Sequence, residues 1–426
     1  MALHWVQYRL LGLKPAGYHL FNVLVHGIAT LLVFLLVRRA LGSMDRPGWG
    51  AFAGAAIFAV HPVHVEAVCW VSGIADVLAS CLVLLSLYVY ARQPDRIASG
   101  LLAAGACLLA SFVKEIAFAL PVLIVVWDFS VGTKPATVRI AARRYTPFVA
   151  ACAASLAARV LALEGLVPKG ANGWQAMLSA PWLLARYLGL LLAPFELNVM
   201  HSFAAVRGLE PRLVVGAVVA VGLVGVGLFA WRRAPALSLG IALFAVPILP
   251  VLNASFLTRH PFAERYLYLP SAALAVVGGW CVARAQVASQ RVRLASCLAL
   301  APVVVGLAVS SAERMGVWRD EVSLWKQTVA DVPSDPEARY NLGRALLKAG
   351  LAPEAVPHLE AAVYLRPRHV KARNNLGVAY VQLGRIPDAV GQFEHAARVR
   401  PADVGIRVNL GRALTRAGLA RRALEE

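Results

Sequence analysis

The sequence predicts an all-α protein in two parts, a polytopic bundle of transmembrane helices followed by a helical solenoid. Three observations predict it. Of 426 residues, 59% are hydrophobic and only 15% charged, against about 45–50% and about 25% in a typical soluble chain. Apolar runs of spanning length recur from residue 18 to residue 312, with basic residues at alternate ends. Beyond residue 313 the pattern changes to a 34-residue period.

Taken in order, the runs fall at 18–41, 50–66, 73–91, 98–113, 116–131, 145–163, 212–231, 236–257, 268–285 and 294–312. A helix needs roughly 20 apolar residues to cross a bilayer, so these read as about ten spans. Arg38-Arg39, Asp45-Arg46, Arg92 with Arg96, Lys134 to Arg144, Arg232-Arg233, and Arg284 with Arg291 and Arg293 mark one set of ends. The positive-inside rule makes those ends cytoplasmic. Pro181–Asn198 is apolar enough to cross but contains Arg186 and Pro194. A crossing there would carry the later basic ends outside, so it reads as a re-entrant or interfacial segment. Such segments are tolerated where protein or a cavity surrounds them. Ten spans with an external C-terminal part place the N-terminus outside as well. Residues 1–17 then read as the tail of an external loop, 18–312 as the membrane domain and 313–426 as repeats. On that reading a first span and loop are missing from the start.

The net charge of +19 invites a nucleic-acid reading. Much of the excess sits at the ends of apolar runs, and no basic stripe carries interleaved aromatics, so nucleic acid is excluded as a partner. The six cysteines are scattered without metal-ligand or disulfide-framework spacing. No cofactor is expected, although His61, His64 and Glu66 together could bind a metal, and no signal peptide is readable at residues 1–17.

In the tail, Asn341-Leu-Gly, Asn375-Leu-Gly and Asn409-Leu-Gly are in phase, as are Gly350, Gly384 and Gly418, and Pro333, Pro367 and Pro401. This is the tetratricopeptide spacing, in which small residues let paired helices approach and proline closes the second. Trp318–Val332 fits the second helix of a preceding half repeat, and the third full repeat is cut at Glu426. Solenoids of this kind bind extended peptides or partner proteins along a concave surface; a plain spacer is the other reading.

Ionisable groups near apolar runs carry the functional signal, because charge at membrane depth is kept mainly where it pairs, meets water or does chemistry. The topology count puts three clusters on the external side: His61, His64, Glu66 and Asp76; Lys114-Glu115; and Arg259, His260, Glu264 and Arg265. Glu66 and Asp76 are the candidate catalytic carboxylates, although an acid at a helix N-terminus such as Asp76 also suits the helix dipole. His61, His64, Lys114, Glu115, Arg259, His260, Glu264 and Arg265 are candidate substrate-binding residues. The histidines could instead cap a helix end, and Lys114 and Glu115 could compensate one another. Lys114 offers a compact charge for phosphate and Arg265 a fork of donors. His19, Asn22 and His26 share one helical face and suit interhelical hydrogen bonding.

With Tyr18 to His26, the His61–Asp76 block, Lys114-Glu115, Glu264 to Ser271 and the fused repeats on the page, the chain resembles the TMTC family. These are transmembrane and tetratricopeptide-repeat O-mannosyltransferases. The resemblance implies a GT-C-like bundle with its site at the lumenal or periplasmic face. It also implies a polyprenyl-phosphate sugar donor and a hydroxyl acceptor, which a protein held by the repeats could supply. It places this chain in a bacterial inner membrane with repeats facing the periplasm. Lys114, Arg259 and Arg265 would face the departing lipid phosphate, and Glu66 and Asp76 the sugar or acceptor. The family's acidic residue in the first external loop has no match here, since residues 1–17 hold no Asp or Glu. A non-catalytic membrane scaffold that recruits envelope proteins through its repeats is the alternative. A transporter finds little support without inverted repeats.

Overall fold

The computed structural model describes residues 5, 7–9, 12, 14–42, 44, 47–163, 173–201, 205–252 and 262–425. Among them the regular structure is helical throughout and holds no strand. The chain divides into two compact units. One is Met1–Leu197 with Phe203–Met315, and the other is Asn198–Ser202 with Gly316–Glu426.

The first unit is an integral membrane bundle. Its helices are α1 (Pro15–Ala40), α2 (Pro47–Val60), α3 (Val65–Cys69), α4 (Ile74–Arg92), α5 (Ile97–Val113) and α6 (Leu120–Ser130). There follow α7 (Val138–Leu163), α8 (Gly173–Leu192), α9 (Pro211–Arg233), α10 (Pro235–Leu252), α11 (Ala272–Gln286) and α12 (Gln290–Val317). Length and composition qualify six described helices as spans, or up to seven if the bent pair of residues 47–60 and 62–69 is one broken span. Apolar helices at Ile97–Val113, Met177–Leu192 and Ala272–Gln286 are shorter. The Pro181–Asn198 segment lies largely in α8, which contains Pro181.

Packing in this unit depends on small residues, because lipid gives no hydrophobic drive for helix association and backbones must approach closely instead. The contact of α2 with α11 shows this. A Cβ on Gly50 would lie 2.4 Å from the Gly279 carbonyl oxygen, and one on Gly54 2.2 Å from that of Ala275. No side chain fits there. Gly216 of α9 lies as tightly against the Pro181–Trp182 backbone of α8.

The second unit stacks α13 (Glu321–Asp331), α14 (Pro336–Lys348), α15 (Ala352–Leu365), α16 (Val370–Gln382), α17 (Ile386–Val399) and α18 (Val404–Arg416), with a short α19 (Ala420–Ala423). Gly350, Gly384 and Gly418 have φ of +78°, +74° and +77°, the left-handed turn that glycine makes without a Cβ penalty. Gly343 and Gly377 leave room for Leu359 and Phe393 of the paired helices. Asp335, His369 and Asp403, at one register, cap α14, α16 and α18 through their side chains. Met200 joins this unit's core, and the Asn198 amide donates to Asp331 at 3.1 Å.

Candidate active site

The site begins with a broken helix. Pro62 disfavours helical geometry at the residue before it, and His61 is extended, at φ −71° and ψ 127°. The segments on either side meet at a 49° bend. A break frees backbone groups that need partners at membrane depth, and neighbours supply them. The His61 Nδ1 accepts from the Val63 amide at 3.4 Å. Asn22 of α1 donates to the Val68 and Trp70 carbonyls at 3.0 and 3.2 Å. His26 reaches the Ala59 carbonyl at 3.1 Å through Nε2 and the Tyr268 hydroxyl at 2.6 Å through Nδ1. Ser311 donates to the Val60 carbonyl at 2.6 Å. Asn22 and His26 thus make the interhelical bonds their face suggested, and the break carries Glu66 inward.

Two ion pairs occupy the interior thus formed. Glu66, on α3, accepts from Arg265 twice, from Nη1 at 2.6 Å and from the backbone amide at 3.0 Å. Asp76, in the first turn of α4, accepts from the Lys114 ammonium. Lys114 is extended beyond the end of α5, where the following residues Glu115–Ala119 form a 3-10 helix. One aromatic ring joins the pairs: Tyr266 lies 4.8 Å from Lys114 Nζ and 5.0 Å from Arg265 Cζ. Trp70 lies 5.4 Å from the same guanidinium. The carboxylates are nearly sealed, with side chains 1% and 5% exposed, while Arg265 and Lys114 keep 21% and 15%. The cations are the accessible partners. The arrangement can therefore present two fixed positive charges to an anion, each held from behind by a buried carboxylate.

The remaining candidates do other work. His61 Nε2 contacts the Leu191 carbonyl at 3.1 Å and His64 Nε2 the Ser271 hydroxyl at 2.7 Å, both buried. They tie the broken helix to α8 and α11. Glu264 is fully buried and accepts from Arg314 of α12 at 3.2 and 3.4 Å. Glu115 turns to Arg159 of α7 at 3.5 Å, so Lys114 and Glu115 do not compensate each other. Arg259 and His260 lie outside the described residues. No group of three metal-ligating side chains occurs among the described residues.

Sequence reasoning missed three features. Arg314 sits just past the last apolar run, where a basic residue looks ordinary. Arg186 stacks on Phe262 at 5.3 Å, next to Tyr187, whose hydroxyl accepts from the Ala263 amide at 3.3 Å. The third is a second ionic cluster. Arg144 of α7 pairs with Asp128 of α6 and with Asp95, each at 2.9 Å. Tyr90 and Tyr145 donate to the same Asp128 oxygen at 2.5 and 3.1 Å. Asp76 and Tyr90 stand at opposite ends of α4, about 21 Å apart at helical rise.

A tetratricopeptide repeat family model matches residues 308–370 and 374–426. Bundle, buried ionic site and repeat array together define a membrane protein with an attached tetratricopeptide solenoid. Protein O-mannosyl-transferase F38B6.6 of Caenorhabditis elegans is 25% identical over 397 residues, which is 86% of this chain and 53% of that protein. Protein O-mannosyl-transferase TMTC1 of Homo sapiens is 26% identical over 422 residues, covering 84% and 47%. Protein O-mannosyl-transferase Tmtc1 of Drosophila melanogaster is 49% identical over 82 residues, covering 19% and 9%. Along most of its length the chain is similar to the TMTC protein O-mannosyl-transferases. It spans about half the length of the first two relatives. The solved structure of MamA AMB-1 matches 31% of the chain and 86% of its own at 22% identity, with a TM-score of 0.25, too slight a likeness to carry an argument.

Proposed function

We propose that the chain forms the donor-binding bundle and acceptor-binding repeats of a GT-C-class membrane glycosyltransferase, which moves a sugar from a polyprenyl phosphate to a protein hydroxyl. The relatives' names point to mannose as the sugar. The observation that carries this reading is the pair of preorganised cations, Arg265 and Lys114, joined by Tyr266 and each backed by a buried carboxylate. In transfer, the bond from the sugar's anomeric carbon to phosphate oxygen breaks while the acceptor oxygen bonds to that carbon. The acceptor's proton leaves to a base, and polyprenyl phosphate departs with the charge. Fixed cations aimed at that charge lower the barrier without reorganising when the bond breaks. Both oxygens of Glu66 are bonded to Arg265, which supports a positioning role for Glu66, and Asp76 plays the same part for Lys114. The proposal places site and repeats on the periplasmic side of a bacterial inner membrane.

The test is transfer from a polyprenyl-phosphate mannose to a peptide hydroxyl by the purified protein in lipid. Arg265→Gln combined with Glu66→Gln removes both charges, so no buried carboxylate is left unpaired. Turnover should fall about 10²–10³-fold, the usual cost of losing a fixed charge-stabilising donor. Wild-type turnover in that double variant would overturn the assignment. A wild-type protein inert with every donor, whose repeats still retain envelope proteins, would favour the scaffold. Reporter fusions after Ala330 and Arg233 should read periplasmic and cytoplasmic respectively; a cytoplasmic signal after Ala330 would move the repeats off the donor's side.

A further inference from the structure

A second cationic feature lies at the other end of α11. That helix touches the active-site cluster at its N-terminus, where Ser271 meets His64, and carries Arg284 near its C-terminus, about 20 Å along at helical rise. Arg284 and Arg233, the last residue of α9, line a cavity of about 320 Å³ with Leu41, Met44, Ala236 and Trp280. Its floor is apolar, since Leu41 and Ala236 are buried. Both arginines are exposed. Their guanidiniums rest on aromatic rings, Arg233 at 4.3 Å from Phe229 and Arg284 at 5.8 Å from Trp280.

In this they differ from the arginines inside the bundle. Arg144, Arg265 and Arg314 each meet a carboxylate. Arg233 and Arg284 make no ion pair with any described residue. Two forked cations opening onto one concavity are left to repel, and an anion lying between them would satisfy both forks. The bilayer supplies one. From Val218 to Phe229, α9 exposes Val218, Val221, Leu228 and Phe229 along its length, an apolar face on which acyl chains can lie while their headgroup reaches Arg233.

We propose that this cavity binds the phosphodiester headgroup of an anionic phospholipid in the leaflet at that end. Basic pockets between spanning helices recognise such headgroups, and the apolar floor with Trp280 holds the glycerol end. The inference is independent of the transferase reading.

The experiment uses the whole chain in a neutral detergent, titrated with phosphatidylglycerol or phosphatidylcholine. Bound lipid is counted by native mass spectrometry and melting is followed in parallel. Wild-type protein should retain one phosphatidylglycerol more firmly than phosphatidylcholine and melt higher with it. Arg233→Gln with Arg284→Gln should bind it about thirtyfold more weakly, the weight of two cations at a lipid surface. Melting of the variant in detergent alone should match wild type, since both side chains are exposed. Equal loss in the control Arg291→Gln with Arg293→Gln, whose positions lie outside the cavity, would overturn the site by showing a diffuse charge effect. So would unchanged phosphatidylglycerol binding in the double variant, or equal stabilisation of wild type by inorganic phosphate.

Discussion

The two ends of α4 carry the same ingredients and use them differently. At one end Arg144 meets Asp128 with side chains only 3% and 1% exposed, and two tyrosines and Asp95 take up further bonding capacity. At the other, Asp76 and Glu66 are as deeply buried, yet their cations keep a share of open surface. In the first cluster the Arg144–Asp128 pair is closed on both sides, with only Asp95 reaching solvent, and it can only fasten α4, α6 and α7 together. The second is closed on the acidic side and open on the basic side. Burial of one partner with exposure of the other is what an anion receptor needs and a rivet lacks.

That contrast can be broken by substitution. Arg144→Met leaves Asp128 uncompensated in the interior and should cost about 3–5 kcal/mol, read as a large drop in melting temperature in detergent. If it costs no more than Lys114→Gln, the closed-versus-open distinction fails. The neutral pair of Arg265→Gln and Glu66→Gln should fold nearly as well as wild type, because replacing both buried partners is often close to neutral. Under the proposed function its loss should appear in transfer alone. Gly54→Val tests whether the open cluster depends on the fold around it. Its side chain would collide with the Ala275 backbone, and overpacking of this kind costs about 1–3 kcal/mol or more. Melting should fall, and under the proposed function donor affinity falls with it, since α11 follows directly on the Arg265 segment.

The mildest case lies in the repeats, where His369 replaces the capping aspartates found one repeat away on either side. Its Nδ1 accepts from the Ala372 amide and its Nε2 bonds Glu337, both at 3.2 Å. Burial holds its pKa below 6.5, opposed by Glu337. A depressed pKa means that the unfolded chain takes the proton first. Its contribution is therefore present above pH 6.5 and is lost as pH falls through the folded value. NMR of the whole protein should show His369 titrating below 6.5. His369→Ala should cost about 1 kcal/mol through the lost cap, and a titration at or above 6.5 would contradict the burial argument.

Much of this was legible in the sequence for a simple reason. Periodicity is local, so the apolar spans, the 34-residue repeat and even the glycine turns at 350, 384 and 418 show in the order of residues. The charged residues near Glu66, Asp76, Lys114 and Arg265 stood out because charge beside apolar runs is rare. Their partners did not. Glu66 and Arg265 are 199 residues apart, and nothing in either neighbourhood states that they meet. Arg314 was passed over because it follows the last apolar run, where a basic residue looks ordinary. The Gly50–Gly279 approach was invisible because a glycine reads as flexibility until the helix opposite is known.

The broken helix also has a consequence in time. Its carbonyls are satisfied in part by Asn22 and His26 of α1, which precedes it, but the hydroxyl that holds the His26 ring belongs to Tyr268, 242 residues later. At ordinary rates of synthesis that interval is roughly 10–50 s. During it, the polar inner wall of the early helices emerges from the ribosome without its far side. The insertion machinery, or a chaperone beside it, must shelter His26, His64 and Glu66 until the late helices arrive. Slowing translation between residues 70 and 260 should therefore expose the nascent protein to membrane proteases more than slowing it within the repeats.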